Sequence, residues 1–396
     1  MRVLQIVPSY LPAWRYGGPV RSVHGLATGL VRLGHDVRVL TTDRDDGAVL
    51  DVPTGRDVEL DGARVRYLEV RGPERLRRAP ALAATLRELA GEVDVVHVHG
   101  LFNAFGAAAC RTARRIGLPY VVSPRGMLMR DALRLRGAGR KRAWLALFER
   151  KNLEAAAAIH VTARNEWDEL DEVAGVRWPR RVLVPNAVER AVHDGSTDGL
   201  SDEVREVVGG APFALFLGRV NRKKGLDRLA RALAVADRRV RVVVAGPDDG
   251  FLAELLALRS QLGLEDRLRV LGAVSGRDRA ALVDRAHLAV LASYSENFGN
   301  APAESLAVGR PALVTPEVGM AELVERYDAG AVVAGEPKVF GAALSRLFTD
   351  DVAYERARLG AEIAAEEALD PLNGARSMAE LYAAITGRAA ASRAAA

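Results

Sequence analysis

The stretch from residue 287 to residue 316 constrains the fold of this chain most, because it separates apolar runs by one polar loop. The apolar run at 287–292 predicts a buried strand. After the polar loop, Pro302 is tolerated in the first turn of a predicted helix that ends at Gly309. A second strand is predicted at 312–315. A strand, a loop, a helix and a strand in this order predict a parallel α/β sheet that binds ligands at the carboxyl ends of its strands.

Two glutamates of this stretch, Glu296 and Glu304, are eight residues apart. The first lies in the polar loop, and the second lies about one turn into the predicted helix. Carboxylates accept hydrogen bonds from hydroxyl groups, and a helix N-terminus attracts phosphate, so the pair suits two hydroxyl-rich parts of one ligand. For a lone pair of glutamates, an ordinary strand–helix corner with solvated side chains would be the better explanation.

A second charged motif follows another predicted strand, at 213–217. A strand-end glycine, Gly218, precedes Arg219, and Lys224 stands five residues after that arginine, just before Gly225. Two cations at this spacing, followed by a helix N-terminus, suit a diphosphate. Arg219 and Lys224 are therefore predicted to bind a diphosphate.

The two strings E-N-F-G-N-A-P-A-E (296–304) and G-R-V-N-R-K-K-G (218–225) together resemble the signatures of glycosyltransferase family 4. The resemblance implies an α/β protein of the GT-B fold, in which two Rossmann-like domains face each other across a cleft. It also implies a retaining transfer of a hexose from a nucleotide-diphosphate sugar.

The resemblance implies roles for residues in the second half of the chain. Glu304 would hold the ribose, while Glu296 and the amides after it would face the sugar and the diphosphate. Val274 lies in a segment that resembles the one whose backbone frames the nucleotide base. The donor-binding residues predicted in this half are Gly218, Arg219, Lys224, Val274, Glu296, Phe298, Gly299, Asn300 and Glu304.

In the first half of the chain, the candidates precede a predicted helix or end a predicted strand. Gly17 and Gly18 precede a helix, where the backbone either approaches a ligand or makes a plain turn. By resemblance, these glycines reach towards the donor diphosphate and the acceptor. His99 and Arg125 end strands, and either a buried structural role or a role in the cleft is open to His99. The predicted catalytic residues are Arg219, Lys224, Glu296, Arg125 and His99.

Family 4 members commonly carry a histidine or an arginine at the strand end that Arg125 occupies, near the acceptor and the transferred sugar. An arginine cannot act as a base near neutral pH, but it can hold phosphate or developing charge. This chain therefore departs from the members that carry histidine there, which argues against a mechanism centred on that base.

Metal binding is not expected from the sequence. Asp43 and Asp45 form a D-x-D motif, but it lies in a charged loop that is predicted to be solvated, so we treat the match as a coincidence. No cluster of cysteine and histidine has the spacing of metal ligands. The single cysteine, Cys110, cannot form an internal disulfide and fits a reducing compartment. We expect no cofactor, because the nucleotide sugar is a substrate.

Residues 130–151 carry eight basic and two acidic side chains with apolar residues between them. This pattern fits a basic amphipathic helix on an anionic membrane surface. The alternative, slightly preferred, is a solvated helix whose apolar stripe packs on its own domain. A net charge of +5 permits acidic partners, but no nucleic-acid motif accompanies it, so nucleic acid is not expected as a partner. No apolar run approaches the roughly 20 residues that span a bilayer. We expect a cytoplasmic protein, peripheral at most on the inner face of the membrane.

A chain of 396 residues, 49% of them hydrophobic, predicts at least two domains with their own cores. Residues 1–190 are predicted to form the acceptor-side Rossmann-like domain, and 211–370 the nucleotide-sugar-binding one. The polar stretch 191–210 is predicted to be a linker, 371–387 a helix that crosses back to the first domain, and 388–396 a disordered tail. At the boundary, Ala187 stands where the family pattern P-N-G-V has glycine, so it must avoid positive φ or bear strain.

The sequence thus predicts a retaining glycosyltransferase that moves a hexose to a saccharide or lipid-linked acceptor, in exopolysaccharide or glycoconjugate synthesis. Two alternatives stay open. One is a non-hydrolysing nucleotide-sugar epimerase, which would convert a UDP-sugar without an acceptor. The other is a catalytically silent nucleotide-sugar-binding protein of the same fold, because a fold never guarantees activity.

Overall fold

The computed structural model describes residues 1–13, 18–45, 47–134, 137–188, 190 and 194–388. The chain divides into two compact units. Unit 1 comprises Met1–Ala187 and Pro371–Ala396, and unit 2 comprises Val188–Asp370. Ala187 has no positive φ, so the chain passes this boundary without the strain that a left-handed alanine would carry.

Unit 1 is built on a sheet of eight strands. Its strands, with a separate two-stranded pair numbered third and fourth, are β1 (Arg2–Ile6), β2 (Asp36–Thr42), β3 (Arg44–Asp45), β4 (Ala48–Val49), β5 (Asp57–Leu60), β6 (Ala63–Leu68), β7 (Val95–His99), β8 (Tyr120–Ser123), β9 (Ala158–Val161) and β10 (Arg181–Leu183). The order in the sheet is β10-β9-β8-β7-β1-β2-β6-β5, and all neighbours are parallel except β5 and β6. Because β1 lies between β7 and β2, the order of the strands reverses at β1.

Both faces of this sheet are covered, and alternate residues of its strands enter two separate apolar cores. In β1, Leu4 and Ile6 face one core, while Val3 faces the other. This is the doubly wound arrangement of a Rossmann-like domain. The helices of the first stretch of unit 1 are α1 (Gly18–Arg32), α2 (Leu82–Glu88), α3 (Ala104–Ile116), α4 (Arg130–Arg134), α5 (Ala138–Trp144), α6 (Arg150–Glu154) and α7 (Arg164–Leu170).

Unit 2 contains a fully parallel sheet of six strands in the order β13-β12-β11-β14-β15-β16. These strands are β11 (Ala214–Leu217), β12 (Val242–Ala245), β13 (Leu268–Gly272), β14 (Leu288–Leu291), β15 (Ala312–Val314) and β16 (Gly330–Val332). Its helices are α8 (Asp202–Val208), α9 (Leu226–Val235), α10 (Leu252–Gln261), α11 (Gly276–Arg285), α12 (Asn300–Ala307), α13 (Ala321–Arg326), α14 (Pro337–Thr349) and α15 (Asp351–Ala364). The order matches that of a dinucleotide-binding Rossmann sheet.

The last helix, α16 (Pro371–Thr386), belongs to unit 1 and packs against α1. The two helices approach closely at Gly29, where an added Cβ would lie 2.7 Å from the carbonyl oxygen of Pro371. Met378 and Tyr382 of α16 are fully buried in the core that α1 also enters. Unit 1 is therefore completed by residues from the far end of the chain.

Two boundaries differ from the sequence predictions. The stretch 191–210, predicted as a linker, contains α8, because Val204, Val207 and Val208 form one apolar face that is buried in the core of unit 2. Arg388, predicted as the first residue of a disordered tail, pairs with Asp94 at 2.9 Å. The remainder of that predicted tail, 389–396, lies outside the described residues.

Candidate active site

The strand order of unit 2 brings its two charged motifs to one edge of the sheet. Strands β11 and β14 are hydrogen-bonded neighbours, and the strand order reverses between them. In open parallel sheets, ligands bind at this switch point, outside the carboxyl ends of the strands. The loop after β11 carries Arg219 and Lys224, and the loop after β14 carries Glu296. The structure thus gathers side chains that lie 72 positions apart in the sequence.

The loop after β11 closes in a single 3-10 turn. Asn221 caps this turn, because its side-chain oxygen accepts a hydrogen bond from the amide of Lys223 at 2.9 Å. The Asn221 side chain also donates to the carboxylate of Asp249 at 3.0 Å. Asp249 in turn pairs with Arg219, with 3.0 Å between Nη1 and Oδ2. The turn and the arginine are therefore held by the same carboxylate.

The second cation of the motif has a different partner. The ammonium of Lys224 forms a charge-assisted hydrogen bond with the carboxylate of Glu296. The Lys224 side chain is 24% exposed, whereas that of Arg219 is 65% exposed. Less water therefore screens the charge of Lys224, so an anion bound beside it gains more from the lysine than from the arginine.

Gly225 allows the two loops to touch. Its φ is +67°, and a Cβ at this position would lie 1.8 Å from the carbonyl oxygen of Ala292 at the end of β14. Only glycine fits this approach and adopts this conformation without strain. Next to it, the amide of Tyr294 donates to the carbonyl of Lys223 at 2.9 Å. The glycine that ends one motif thus packs its backbone on the strand that leads into the other.

The loop that carries Glu296 is anchored through its backbone. The amide of Glu296 donates to Glu317 at 3.0 Å, and its carbonyl accepts from Gly319 at 3.1 Å. The carbonyl of Phe298 accepts from Met320 at 2.8 Å, and the ring of Phe298 is buried. Phe298 is therefore an anchor, and its predicted contact with a ligand would be made by its backbone.

Helix α12 begins directly after this anchor. Gly299, with φ +102°, precedes its first residue, Asn300. The first amides of a helix have no acceptor within the helix, and they carry the positive end of its dipole. The structure therefore places a helix N-terminus four residues after Glu296, as is needed if this loop binds a phosphate.

The second glutamate of the motif has a partner that the sequence analysis did not single out. Glu304, inside α12, forms an ion pair with Arg279 of α11. Both side chains are largely buried, at 7% and 14% exposed. Arg279 is one of three arginines in α11, so no local pattern distinguished it. A buried pair of this kind fixes the direction of the carboxylate that is predicted to hold a ribose.

Val274 lies between β13 and α11, at the edge of the core of unit 2. It is half-buried and packs against that core. Its role beside a nucleotide base stays a prediction. Gly218 ends β11, where its amide donates to the carbonyl of Ala245 at 2.9 Å, so it also has a structural task in the sheet.

In unit 1, the predicted glycine loop is only partly described. Gly18 is the first residue of α1, and Gly17 lies outside the described residues. The proposed reach of these glycines towards a diphosphate stays a prediction.

Arg125 lies in a tight turn after β8. Its φ is +56° and that of Gly126 is +74°, so two successive residues adopt the left-handed conformation, which is costly for an arginine. The buried carboxylate of Glu166 holds the turn by accepting from the amides of Gly126 at 2.5 Å and Thr162 at 3.0 Å. Burial raises the pKa of Glu166 despite these bonds. The local strain is therefore maintained by a dedicated buried acceptor.

The guanidinium of Arg125 is enclosed by uncharged acceptors. It donates to the side-chain oxygen of Asn186, to the hydroxyl of Ser22 at 3.4 Å and to Nδ1 of His99 at 3.1 Å. Its Nε is buried and has no hydrogen-bond partner among the described residues. Burial lowers the pKa of Arg125 to about 10, so it remains a cation at neutral pH. Glu166 also attracts this half-buried cation electrostatically, but none of the acceptors bonded to the guanidinium is charged. Arg125 is therefore suited to stabilise an anion or developing negative charge.

His99 has no open nitrogen on its ring. Its Nε2 donates to the side-chain oxygen of Gln5 at 2.6 Å, while its Nδ1 faces Arg125. Burial lowers the pKa of His99 well below its usual value, so the ring is neutral. Of the two roles that the sequence left open, the geometry favours the buried one. A direct catalytic role for His99 stays an untested prediction.

The expectation that the D-x-D motif is solvated is wrong. Asp43 is buried, where it accepts from the amide of Val70 at 3.0 Å and pairs with Arg44 at 3.3 Å. Asp45 is also buried. The motif therefore serves the packing of its own loop. Among the described residues, no group of three or more histidine, cysteine, aspartate or glutamate side chains could hold a metal ion.

The basic segment, residues 130–134 and 137–151, is not one continuous helix. It consists of α4, α5, a π-helical turn at Leu145–Glu149 and the start of α6. Leu145 is buried in the core, whereas Leu147 is 73% exposed and Phe148 is also exposed. Packing on its own unit therefore accounts for only part of its apolar side chains. No helix in the described part of the chain has the length and apolar character needed to cross a membrane.

The chain matches two family models and resembles solved structures in its fold. Residues 17–187 match the family model of the glycosyl transferase 4-like domain, and residues 201–364 match that of glycosyl transferases group 1. Over the whole chain, the fold is similar to that of sucrose-phosphate synthase from Thermosynechococcus elongatus. The TM-score is 0.73 at 18% identity, covering 98% of this chain and 100% of that one. The predicted class, α/β with two Rossmann-like domains of the GT-B type, is confirmed.

Two relatives with similar sequences have names that state an activity. A D-inositol 3-phosphate glycosyltransferase from Xylanimonas cellulosilytica is 29% identical, over 94% of this chain and 93% of that protein. A GDP-mannose:cellobiosyl-diphosphopolyprenol alpha-mannosyltransferase from Xanthomonas oryzae pv. oryzae is 27% identical, over 84% of this chain and 83% of that protein. Both names describe transfer of a glycosyl group.

Proposed function

Because the chain belongs to the glycosyltransferase group 1 family of retaining GT-B enzymes, we propose that the switch point of unit 2 is its donor site. The chain is a hexosyltransferase that moves a sugar from a nucleotide sugar, so it needs a site for a sugar diphosphate. The observation that carries the assignment is the meeting of Lys224, Glu296 and the start of α12 at the ends of β11 and β14. Cations and helix amides at one sheet edge match the charge of a diphosphate.

Binding of the donor exchanges the partners of these charges. In the free protein, Lys224 pairs with Glu296, and Arg219 pairs with Asp249. A diphosphate carries more negative charge than one carboxylate, so it replaces Glu296 as the partner of Lys224. The Glu296 carboxylate then accepts hydrogen bonds from hydroxyl groups of the sugar. Glu304, directed by Arg279, accepts from the ribose.

The transfer step keeps the anomeric configuration, and we place it on one face of the sugar. The bond between the anomeric carbon and the diphosphate oxygen breaks through an oxocarbenium-like transition state. The acceptor oxygen forms the new bond to that carbon, and its proton passes to the departing diphosphate. Arg219 and Lys224 stabilise the charge on this leaving group, so the main contribution is electrostatic and no side-chain base is required.

In this proposal, Arg125 acts on the acceptor side of the reaction, not on the nucleotide. Its guanidinium is a cation at neutral pH and cannot take the proton of the acceptor. In this proposal it stabilises phosphate on the acceptor or charge in the transition state. An Arg125→Ala variant is expected to keep most of its affinity for a nucleoside diphosphate and to lose transfer. Calorimetry beside a transfer assay measures both, and transfer at the wild-type rate would contradict this role.

We propose that the reaction requires no metal, because Arg219 and Lys224 supply the positive charge that a leaving diphosphate needs. Transfer is expected to continue at an unchanged rate after treatment with EDTA. A loss of activity that Mg²⁺ or Mn²⁺ restores would contradict this part of the proposal.

The donor is identified by screening. GDP-mannose is a reasonable first candidate, because it appears in the name of the mannosyltransferase relative, and UDP-glucose is the natural comparison. Thermal-shift measurements with UDP, GDP, ADP and their sugars are expected to show a higher melting temperature with the nucleotides of one base, because a ligand that binds only the folded state stabilises it. No rise with any nucleotide would contradict the donor site. Conversion of a UDP-sugar without an acceptor would instead favour an epimerase.

For the acceptor, we propose a saccharide on a lipid carrier, reached from the inner face of the membrane. The mannosyltransferase relative acts on a diphosphopolyprenol-linked saccharide. In this chain, exposed Leu147 and Phe148 lie within the basic segment. Its exposed cations are Arg130, Arg134, Arg140, Arg142, Arg150 and Lys151. Arg130 and Arg150 pair with glutamates, Glu172 and Glu154. Apolar side chains among cations fit a surface of anionic lipid.

Vesicle flotation tests this membrane contact. The protein is expected to float with anionic vesicles, to float less with neutral ones, and to be released by salt. Leu147→Asp should reduce flotation. Val352→Asp, at a position that is 80% exposed in unit 2, is the matched control and should float like the wild type. Equal recovery with neutral lipid, or none with either, would contradict the proposal.

A further inference from the structure

Behind Arg125, unit 1 contains a buried network of three imidazoles. His97 and His99 lie on the same face of β7, with ring centroids 4.1 Å apart, and His160 of β9 lies 5.3 Å from His97. All three are almost completely buried. Burial lowers the pKa of each ring, to about 3 for His160, so all three are neutral. A neutral imidazole has one donor and one acceptor, so each ring must occupy one tautomer.

The tautomers are determined from one end of the network. The carbonyl oxygen of Val184 can only accept, and Nε2 of His160 lies 2.9 Å from it, so this nitrogen carries the hydrogen. Nδ1 of His160 is then an acceptor, and it takes the hydroxyl hydrogen of Ser123 at 2.7 Å. The oxygen of Ser123 therefore accepts from Nε2 of His97 at 2.8 Å. By the same reasoning, Nδ1 of His97 accepts from the hydroxyl of Tyr382 at 2.6 Å.

The same direction continues from Tyr382 to Arg125. Because the hydroxyl hydrogen of Tyr382 is used, its oxygen accepts from the side-chain amide of Gln5 at 3.4 Å. The side-chain oxygen of Gln5 therefore faces His99 and accepts from its Nε2 at 2.6 Å. Nδ1 of His99 is left as an acceptor, and Arg125, which can only donate, reaches it at 3.1 Å. A pure acceptor at one end and a pure donor at the other agree on a single direction for every hydrogen bond.

We propose that Tyr382 is a positioning residue for transfer: its hydroxyl orients Gln5, and thereby sets the tautomer of His99 that holds Arg125. Without this hydroxyl, the Gln5 amide has no acceptor and can turn over. Only Arg125 would then still favour hydrogen on Nε2 of His99, so a fraction of the rings would carry it on Nδ1, and in that fraction the guanidinium would lose its acceptor. The network thus connects α16 with β1, β7, β8 and β9, and it leaves Arg125 as the one charge among its members. The inference rests on the role proposed above for Arg125.

Nitrogen-15 spectra of the full-length protein with labelled histidine test the tautomers directly. The chain contains seven histidines, so ring signals can be assigned by substitution. In the wild type, His97, His99 and His160 are expected to carry hydrogen on Nε2. In Tyr382→Phe, His99 is expected to gain the form with hydrogen on Nδ1. Ser123→Ala interrupts the network between His160 and His97, and it should shift His99 in the same direction if Tyr382→Phe does not fold.

Kinetics supply the second readout. Release of nucleoside diphosphate from GDP-mannose or UDP-glucose is expected to fall about tenfold to a hundredfold in kcat for Tyr382→Phe, as for a misplaced catalytic group. The KM for the donor should change less than twofold. Tyr120→Phe is the matched control, because Tyr120 is also buried in unit 1 but donates to the carbonyl of Asn152 at 2.6 Å. It should leave both the His99 signals and kcat unchanged.

The two proposals fail separately. If His99 keeps hydrogen on Nε2 in both Tyr382→Phe and Ser123→Ala, the positioning role is refuted, whatever the activity. If the tautomer changes as expected but Arg125→Ala transfers at the wild-type rate, the network is real and the proposed role of Arg125 is wrong. A loss of kcat equal to that of Tyr120→Phe would indicate only general destabilisation and would also refute the inference.

Discussion

Replacing Lys224 by alanine is expected to weaken the binding of a nucleoside diphosphate far more than replacing Arg219. Lys224 is mostly shielded from solvent, so its bond to phosphate falls in the range of about 1.5–3 kcal/mol for charged hydrogen bonds. At about 1.4 kcal/mol for each factor of ten, this corresponds to roughly 10- to 150-fold in Kd. Arg219 is mostly exposed, and about 0.2–1 kcal/mol for such pairs corresponds to less than about fivefold.

The measurement is isothermal calorimetry with UDP and GDP on folded variants. Lys223→Ala removes one cation from the same turn and controls for general loss of charge, so its Kd should change less than about twofold. In Lys224→Ala, the carboxylate of Glu296 is left beside the diphosphate, and adding Glu296→Gln should recover part of the lost affinity. Wild-type binding by Lys224→Ala, or a larger loss for Arg219→Ala, would show that the donor site has been assigned wrongly.

Three further predictions concern affinity, folding and pH. Glu304→Gln should weaken nucleotide binding by about 1.5–3 kcal/mol without unfolding unit 2, and an unchanged Kd in calorimetry would remove Glu304 from the site. Gly225→Ala should lower the melting temperature and abolish nucleotide binding, because its Cβ meets the carbonyl of Ala292; a wild-type melting curve would contradict the packing. The buried histidines of unit 1 have pKa values below those of the unfolded chain, so the unfolded state binds more protons once the pH falls below about 6.5. As the pH falls, the free energy of unfolding should therefore decrease by up to about 1.4 kcal/mol per pH unit for each of these histidines. Glu149 and Glu166 reduce this loss, because their raised pKa values act in the opposite sense. A melting temperature that is constant from about pH 7.5 to about pH 5 would contradict this prediction.

The donor side could be predicted from local strings because its requirements are local. The glycine at 225, the cations of one turn and the start of α12 all follow from a few consecutive residues. Their meeting required only that β11 and β14 be neighbours, which is common at the switch point of a parallel sheet.

The partners of these residues could not be predicted in the same way. Arg279 reaches Glu304 from another helix, and Gln5 reaches Tyr382 across 377 positions of sequence. A buried polar network leaves no periodic pattern, because each member satisfies a partner from a different element. The helix α8 was missed for a different reason: three valines at helical spacing follow a run of turn-forming residues that dominates the local composition.

The discontinuity of unit 1 has a consequence for synthesis on the ribosome. The first stretch of this unit emerges by residue 187, but Tyr382, which is buried in its core, is translated almost 200 residues later. At about 5–20 residues per second, the nascent unit waits roughly 10 to 40 s for its last helix. During that time, the α1 surface that α16 later covers, around Gly29, stays exposed, and transiently exposed apolar surface of this kind is prone to aggregation. Unit 2 is continuous in sequence, so it needs no later segment and can fold first although it is made second.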